Sequence, residues 1–191
     1  VGCGTLFKIT PEGALTTLHS FDGTDGDYPS AGLVQGNDGN FYGTTTLGSA
    51  IFKISPSGAL TLLSSSYGDG SEPLAPLAQG TDGSFYGTAS LYGLGGCSGY
   101  GCGTVFSLSI GLAPFVTSLP TSGSVGAAIK ILGTDLTGAT SVAFNGTAAA
   151  FTVAGPSEIL TTVPDGATTG VLQVTTPGSA LLGNAAFSVR P

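Results

Sequence analysis

Along the chain, short apolar, β-prone runs alternate with clusters of Gly, Pro, Asn and Asp. Leu6 to Ile9 forms one such run, followed by the turn signal Pro11-Glu12-Gly13 and a second run from Leu15 to Phe21. A turn-rich loop, Asp22 to Tyr28, comes next, and Asn37-Asp38-Gly39-Asn40 leads as a hairpin turn into Phe41-Tyr42-Gly43-Thr44. After Gly111-Leu112-Ala113-Pro114 the spacing changes. Strands are predicted at Phe115 to Leu119, Ala128 to Leu132, Ser141 to Phe144, Ala149 to Val153, Ile159 to Val163, Val171 to Thr175 and Ala186 to Val189. The turn residues between them recur at the interval of a small β-sandwich. The pattern predicts an all-β protein in two parts.

The first part repeats itself. Leu6-Phe7-Lys8-Ile9-Thr10-Pro11 returns 45 positions on as Ile51-Phe52-Lys53-Ile54-Ser55-Pro56, and Gly13-Ala14-Leu15-Thr16 returns as Gly58-Ala59-Leu60-Thr61. Gln35-Gly36-Asn37-Asp38-Gly39-Asn40-Phe41-Tyr42-Gly43-Thr44 returns 44 positions on as Gln79-Gly80-Thr81-Asp82-Gly83-Ser84-Phe85-Tyr86-Gly87-Thr88. A third copy opens at Gly103-Thr104-Val105-Phe106-Ser107-Leu108 and stops. Three to four strands in about 45 residues is the size of a propeller blade.

These repeats resemble the Gloeobacter/Verrucomicrobia (GloVer) repeat, over Gly4 to Thr45, Ile51 to Thr88 and Gly103 to Leu108. The second copy departs from the pattern, with Ser64-Ser65-Ser66-Tyr67 in place of His19-Ser20-Phe21-Asp22. The resemblance implies an exported bacterial protein, often held at the cell surface, and implies no chemistry. The second part resembles the IPT/TIG family of immunoglobulin-like domains. The matching residues are Pro120 to Gly126, Ile129 to Leu136, Val142 to Gly146, Val163-Pro164, Thr169-Gly170-Val171 and Val174. The expected organisation is propeller-blade-like β repeats over residues 1–112 and an immunoglobulin-like β-sandwich over 113–191.

Charge narrows the function. Only 8% of the 191 residues are charged, against roughly 25% in an ordinary soluble domain, and the net charge is −7. Four basic residues cannot supply the cationic footprint of a nucleic-acid binder. No apolar run approaches the ~18 residues of a membrane-spanning helix.

The three cysteines suggest an oxidising compartment. Cys97 and Cys102 lie five apart in a Gly-rich stretch that can fold back tightly, and a local disulfide is expected. Cys3 occupies the position of Cys102 in its own copy of the motif. It is expected to mark an array entered mid-repeat, or to pair elsewhere, including on another chain.

Candidate chemistry is sparse. His19 is the only histidine and reads as a strand-edge residue rather than half of a catalytic dyad. Most carboxylates adjoin Gly in turns, where Asp caps its own backbone. Asp22, Asp25 and Asp27 make a weak calcium candidate, since hard oxygen ligands alternate with turn glycines, but the bidentate Glu of an EF-hand is missing. Asn145-Gly146-Thr147 has the form of a glycosylation sequon, although Asn-Gly also makes turns. The pairs Phe41-Tyr42 and Phe85-Tyr86 would place one ring inward and one outward, which could build a sugar-stacking groove.

The expected function is therefore structural: an extracellular or cell-surface protein without catalytic residues, metal or cofactor, associating with copies of itself through exposed strand edges, as in a filament. The alternative is a carbohydrate-binding or adhesive module that recognises surface glycans. No nucleic-acid partner and no membrane span are expected.

Overall fold

The computed structural model describes residues 3–64, 72–93 and 102–191. It is all-β, and none of its described helices is long and apolar enough to cross a membrane. The chain divides into two compact units, Val1–Gly80 with Ser84–Ile110, and Thr81–Gly83 with Gly111–Pro191.

The first unit holds three antiparallel sheets: β1 (Thr5–Ile9) with β2 (Leu15–Ser20); β3 (Val34–Gln35), β4 (Phe41–Thr44), β5 (Ile51–Ile54) and β6 (Leu60–Ser64) in that order; and β7 (Ala78–Gln79), β8 (Phe85–Gly93) and β9 (Cys102–Leu108). The sheets are out of phase with the sequence repeat. In the four-stranded sheet, β3 and β4 come from the first copy and β5 and β6 from the second. The reason is local. Residues after Thr44 turn back at once, so that Phe41 pairs with Ile54 and Thr44 with Ile51. Residues after Ser20, by contrast, run through a long loop before β3 begins. Each repeat thus supplies two strands to one sheet and two to the next.

The blade turns follow from the repeat. The β1–β2 turn closes with the Gly13 N–H donating to Thr10 O at 2.9 Å, and the β5–β6 turn with Gly58 to Ser55 O at 2.9 Å. Both glycines have positive φ, 88° and 98°, which explains why the Pro-x-Gly signal recurs there. In the second and third sheets the glycines of β4 and β8 are needed for another reason. A Cβ on Gly43 would lie 2.6 Å from the Phe52 ring and from Leu33 Cδ2. A Cβ on Gly87 would lie 2.4 Å from the Phe106 ring and 2.8 Å from Leu77. The glycine lets the Leu just before one neighbouring strand and the Phe of the other close over the middle strand.

Buried apolar side chains join the blades. Leu6 of β1 and Phe21, just past the end of β2, cluster with Phe52 and Ile54 from the second sheet, and Phe21 meets Phe52 edge-on at 5.4 Å. Between the second and third sheets Tyr42 packs on Phe85 with ring centroids 4.1 Å apart, both rings fully buried.

The second unit is two sheets. One orders β10 (Thr117–Leu119), β12 (Ala128–Leu132), β16 (Glu158–Thr162) and β15 (Phe151–Gly155). The other orders β11 (Ser122–Ser124), β18 (Ala180–Arg190), β17 (Gly170–Thr175), β13 (Ser141–Phe144) and β14 (Thr147–Ala149). Ile129, Ile131 and Ile159 of the first sheet and Val142, Phe144, Leu172, Val174, Leu181 and Phe187 of the second form one buried core, closed by Leu136 from a short 3₁₀ turn. The predicted strand at Ala149 to Val153 is two strands. The chain leaves one sheet at Ala149 and joins the other at Phe151, a switch that apolar alternation does not reveal.

Candidate functional site

The residues singled out by chemistry gather in the loop from Asp22 to Tyr28 and in the strand that leads into it. His19 Nε2 and Asp25 Oδ2 are 2.6 Å apart, and the imidazole stands edge-on to Phe21 at 5.0 Å. Asp22 Oδ1 accepts hydrogen bonds from the Thr24 N–H at 2.9 Å and the Thr24 hydroxyl at 2.6 Å. Those bonds, the hydroxyl's first, hold the Asp22 carboxyl below its usual range. Asp25 Oδ1 accepts from the Asp22 N–H at 3.2 Å, and Asp27 Oδ1 from the Tyr28 N–H at 2.9 Å. The three carboxylates of the calcium candidate are thus acceptors for their own loop. Among the described residues no group of three or more His, Cys, Asp or Glu is placed to hold a metal ion.

Cys3 lies beside this loop. Burial first, then the neighbouring Asp27 carboxylate to which it is hydrogen-bonded, push its thiol pKa up. A raised pKa disfavours the thiolate that nucleophilic or exchange chemistry needs. Cys97 lies outside the described residues, so the expected Cys97–Cys102 bridge does too; Cys102 opens β9.

Asn145 is a turn residue. It stands at φ 46° between β13 and β14, and its side-chain Nδ2 donates to Thr168 Oγ1 at 2.8 Å and to Thr169 O at 3.3 Å. Both bonds come from the nitrogen to which a glycan would be attached. Tyr42 and Phe85 bury each other, while Tyr86 is 41% exposed.

Two features of the repeat junction were not found from sequence. The Asn37 N–H donates to Gln79 Oε1 at 2.9 Å, and Gln79 Nε2 donates to Asn37 Oδ1 at 3.0 Å, a reciprocal bridge between neighbouring blades. The Gln-Gly pairs at 35–36 and 79–80 were its only signal. The Tyr42 hydroxyl donates to Asp38 Oδ2 at 2.8 Å, and Asn40 donates to the same carboxylate from its backbone at 3.1 Å and its side chain at 2.7 Å. Burial, reinforced by Asp38, raises the Tyr42 pKa. Burial works to raise the Asp38 pKa, but the bonds from Asn40 and Tyr42 outweigh it and leave the carboxyl below its usual value. This geometry fixes a hairpin and a blade-to-blade contact. It assembles no nucleophile with a base.

The site is thus a junction between β repeats, and the class it defines is a repeat protein whose units pack blade on blade. The profile of the Gloeobacter/Verrucomicrobia repeat matches residues 1–162, and the chain belongs to that family. No curated protein matches it. Among solved structures it is similar to a novel fungal alcohol oxidase with catalytic diversity among the AA5 family, in complex with copper. That likeness has 14% identity and a TM-score of 0.32 over 93% of this chain, which spans 45% of the oxidase chain.

Proposed function

We propose that this is an exported structural protein of the bacterial cell exterior that acts by associating with copies of itself, as a filament subunit does, and not by catalysis. The observation that carries the reading is the uneven strand count of the repeat sheets. The second sheet has four strands and the third has three among the described residues, so the place that β6 takes beside β5 has no counterpart beside β9 there. Open strand edges present unpaired backbone groups, which proteins cover or pair. The family membership, the low charge and the expected Cys97–Cys102 bridge all support an extracellular setting. On this reading the second unit is an IPT/TIG-type immunoglobulin-like spacer.

Electron microscopy together with sedimentation velocity of the 191-residue chain tests the proposal. Filaments or concentration-dependent oligomers are expected, and a monomer at every concentration would refute it. Non-reducing peptide mapping is expected to recover Cys97 joined to Cys102; two free thiols would remove the oxidising-compartment argument.

A further inference from the structure

Three hydroxyls are buried where β4 turns back into β5. Thr44 is 1%, Thr45 0% and Ser49 7% exposed. The protein serves Thr45 in full: its Oγ1 donates to Leu47 O at 3.0 Å and accepts from the Ala50 N–H at 3.2 Å. Thr44 Oγ1 and Ser49 Oγ have no hydrogen-bond partner among the described residues. Buried hydroxyls are nearly always paired, with protein or with an ordered water, because a dry one forfeits the bonds it made in solvent.

The two unpartnered hydroxyls belong to one turn. Thr44 stands opposite Ile51, and the Thr45 N–H donates to Ala50 O at 2.9 Å, so Ser49 lies one step further round, diagonal to Thr44. Diagonal neighbours across a strand pair are about 7–8 Å apart. Two O–H···O bonds of about 2.8 Å each, meeting at one water, are of the length that such side chains leave between their oxygens. The backbone of the turn is already engaged: Asp27 and Leu47 exchange N–H···O bonds at 3.0 and 3.1 Å, and the Thr46 N–H donates to Tyr28 O at 3.0 Å. Along β4 alternate side chains share a face. Tyr42 packs on Phe85 of the third sheet, so Thr44 faces the same junction. Thr88, the counterpart of Thr44 in the third sheet, is exposed and meets solvent directly.

We propose that the base of the β4–β5 turn is a binding site for one internal water, held by the Thr44 and Ser49 hydroxyls together. Water suits the pair because each hydroxyl offers one donor and two acceptor sites, and a water can donate to one and accept from the other. Immobilising a single water costs less than leaving two hydroxyls dry in the interior. The site ties the turn to the junction between the second and third sheets. It is a fixed part of the first unit, and it stands or falls independently of the self-association reading above.

The test uses Thr44→Val and Ser49→Ala in the 191-residue chain, alone and together. Each removes a hydroxyl and nearly keeps the shape. Denaturant unfolding is expected to show the folding equilibrium constant lowered about fivefold or more in each single variant, since each takes a partner from the bound water. The double variant is expected to lose less than the product of the two, because both changes act on one site. Thr88→Val, at the exposed counterpart, should stay within about twofold of the parent. A hydroxyl buried dry behaves in the opposite way: removing it leaves stability unchanged or raises it. That result in either single variant overturns the proposal, and losses that multiply independently in the double variant overturn the shared site. A high-resolution crystal structure of the parent chain gives a readout that needs no variant. One water within hydrogen-bond distance of both oxygens is expected, and hydroxyls that meet no water there overturn the proposal.

Discussion

The two units of this chain bury their cores in different ways. In the second, nine buried side chains from the strands of two sheets face one another, with Val116, Leu136 and Val163 closing the cluster, and the sheets enclose their own interior. In the first, the cluster of Leu6, Phe21, Phe52 and Ile54 lies between successive sheets, so each sheet is buried by the next one. A sandwich completes itself, whereas a stack of blades is satisfied in its middle and exposed at its ends.

Separating the units is expected to give the largest effect. A chain of residues 111–191 should unfold in one cooperative thermal transition whose midpoint does not depend on protein concentration. A chain of residues 1–110 should melt at a midpoint that rises with concentration, because association stabilises the folded form by mass action. A concentration-independent midpoint for 1–110 would erase the distinction between the two kinds of core.

Within the stack, one repeat position supplies a graded series. Phe52 is fully buried, Phe106 half-buried and Phe7 55% exposed, all at the same place in their repeats. Phe52→Ala should destabilise the chain by about 3–5 kcal/mol, as buried aromatic truncations do. Phe106→Ala should cost an intermediate amount, and Phe7→Ala should stay within about 0.5 kcal/mol in dilute solution. Denaturant unfolding of the three variants gives the order. An equal loss at all three would mean that blade position does not decide burial.

The same contrast explains what could be read from sequence. In the sandwich, Ala128–Leu132 and Ser141–Phe144 have the predicted bounds because apolar alternation and bordering turn residues both mark them. β11, Ser122–Ser124, was missed because it is polar and short; its place comes from parallel pairing with β18, which is tertiary. In the stack, the repeat length was legible but its phase was not. Self-similarity gives a period, and only the strand pairing shows that a sheet takes two strands from each of two copies. Likewise Asn145 was legible as a turn residue, while the Asp38–Tyr42 bond was not. The identical Asp-Gly-x-Phe-Tyr in both copies read as hairpin chemistry alone.

That bond gives the pH prediction. The Asp38 carboxyl is held below its usual value in the folded chain. A depressed carboxyl pKa contributes stability that is present above the unfolded value, about 3.9, and is lost as pH falls through the folded value. The parent chain should therefore lose stability in acid below about pH 4, and Asp38→Asn should flatten that part of the profile. Tyr42→Phe should cost about 1–3 kcal/mol at neutral pH, since it removes a hydrogen bond to a charged acceptor. An acid profile unchanged in Asp38→Asn would show that the carboxylate is not held by this hairpin.

The smallest effect is expected on the outer face of the sandwich. Lys130 Nζ lies 3.1 Å from Glu158 Oε1, with side-chain exposures of 46% and 32%. Water and salt screen a pair this open, and such surface pairs contribute about 0–1 kcal/mol. Lys130 also stands across the sheet from Leu119 on one side and Leu160 on the other, residues 51% and 45% exposed. Its aliphatic stem covers part of that row while its ammonium reaches solvent. Lys130→Met keeps the stem and removes the charge, so stability should change by less than about 0.5 kcal/mol. Lys130→Ala removes both and should cost more than Lys130→Met. If the two variants lose the same amount, the ion pair and not the stem carries the contribution, and the loss should then shrink as salt is added.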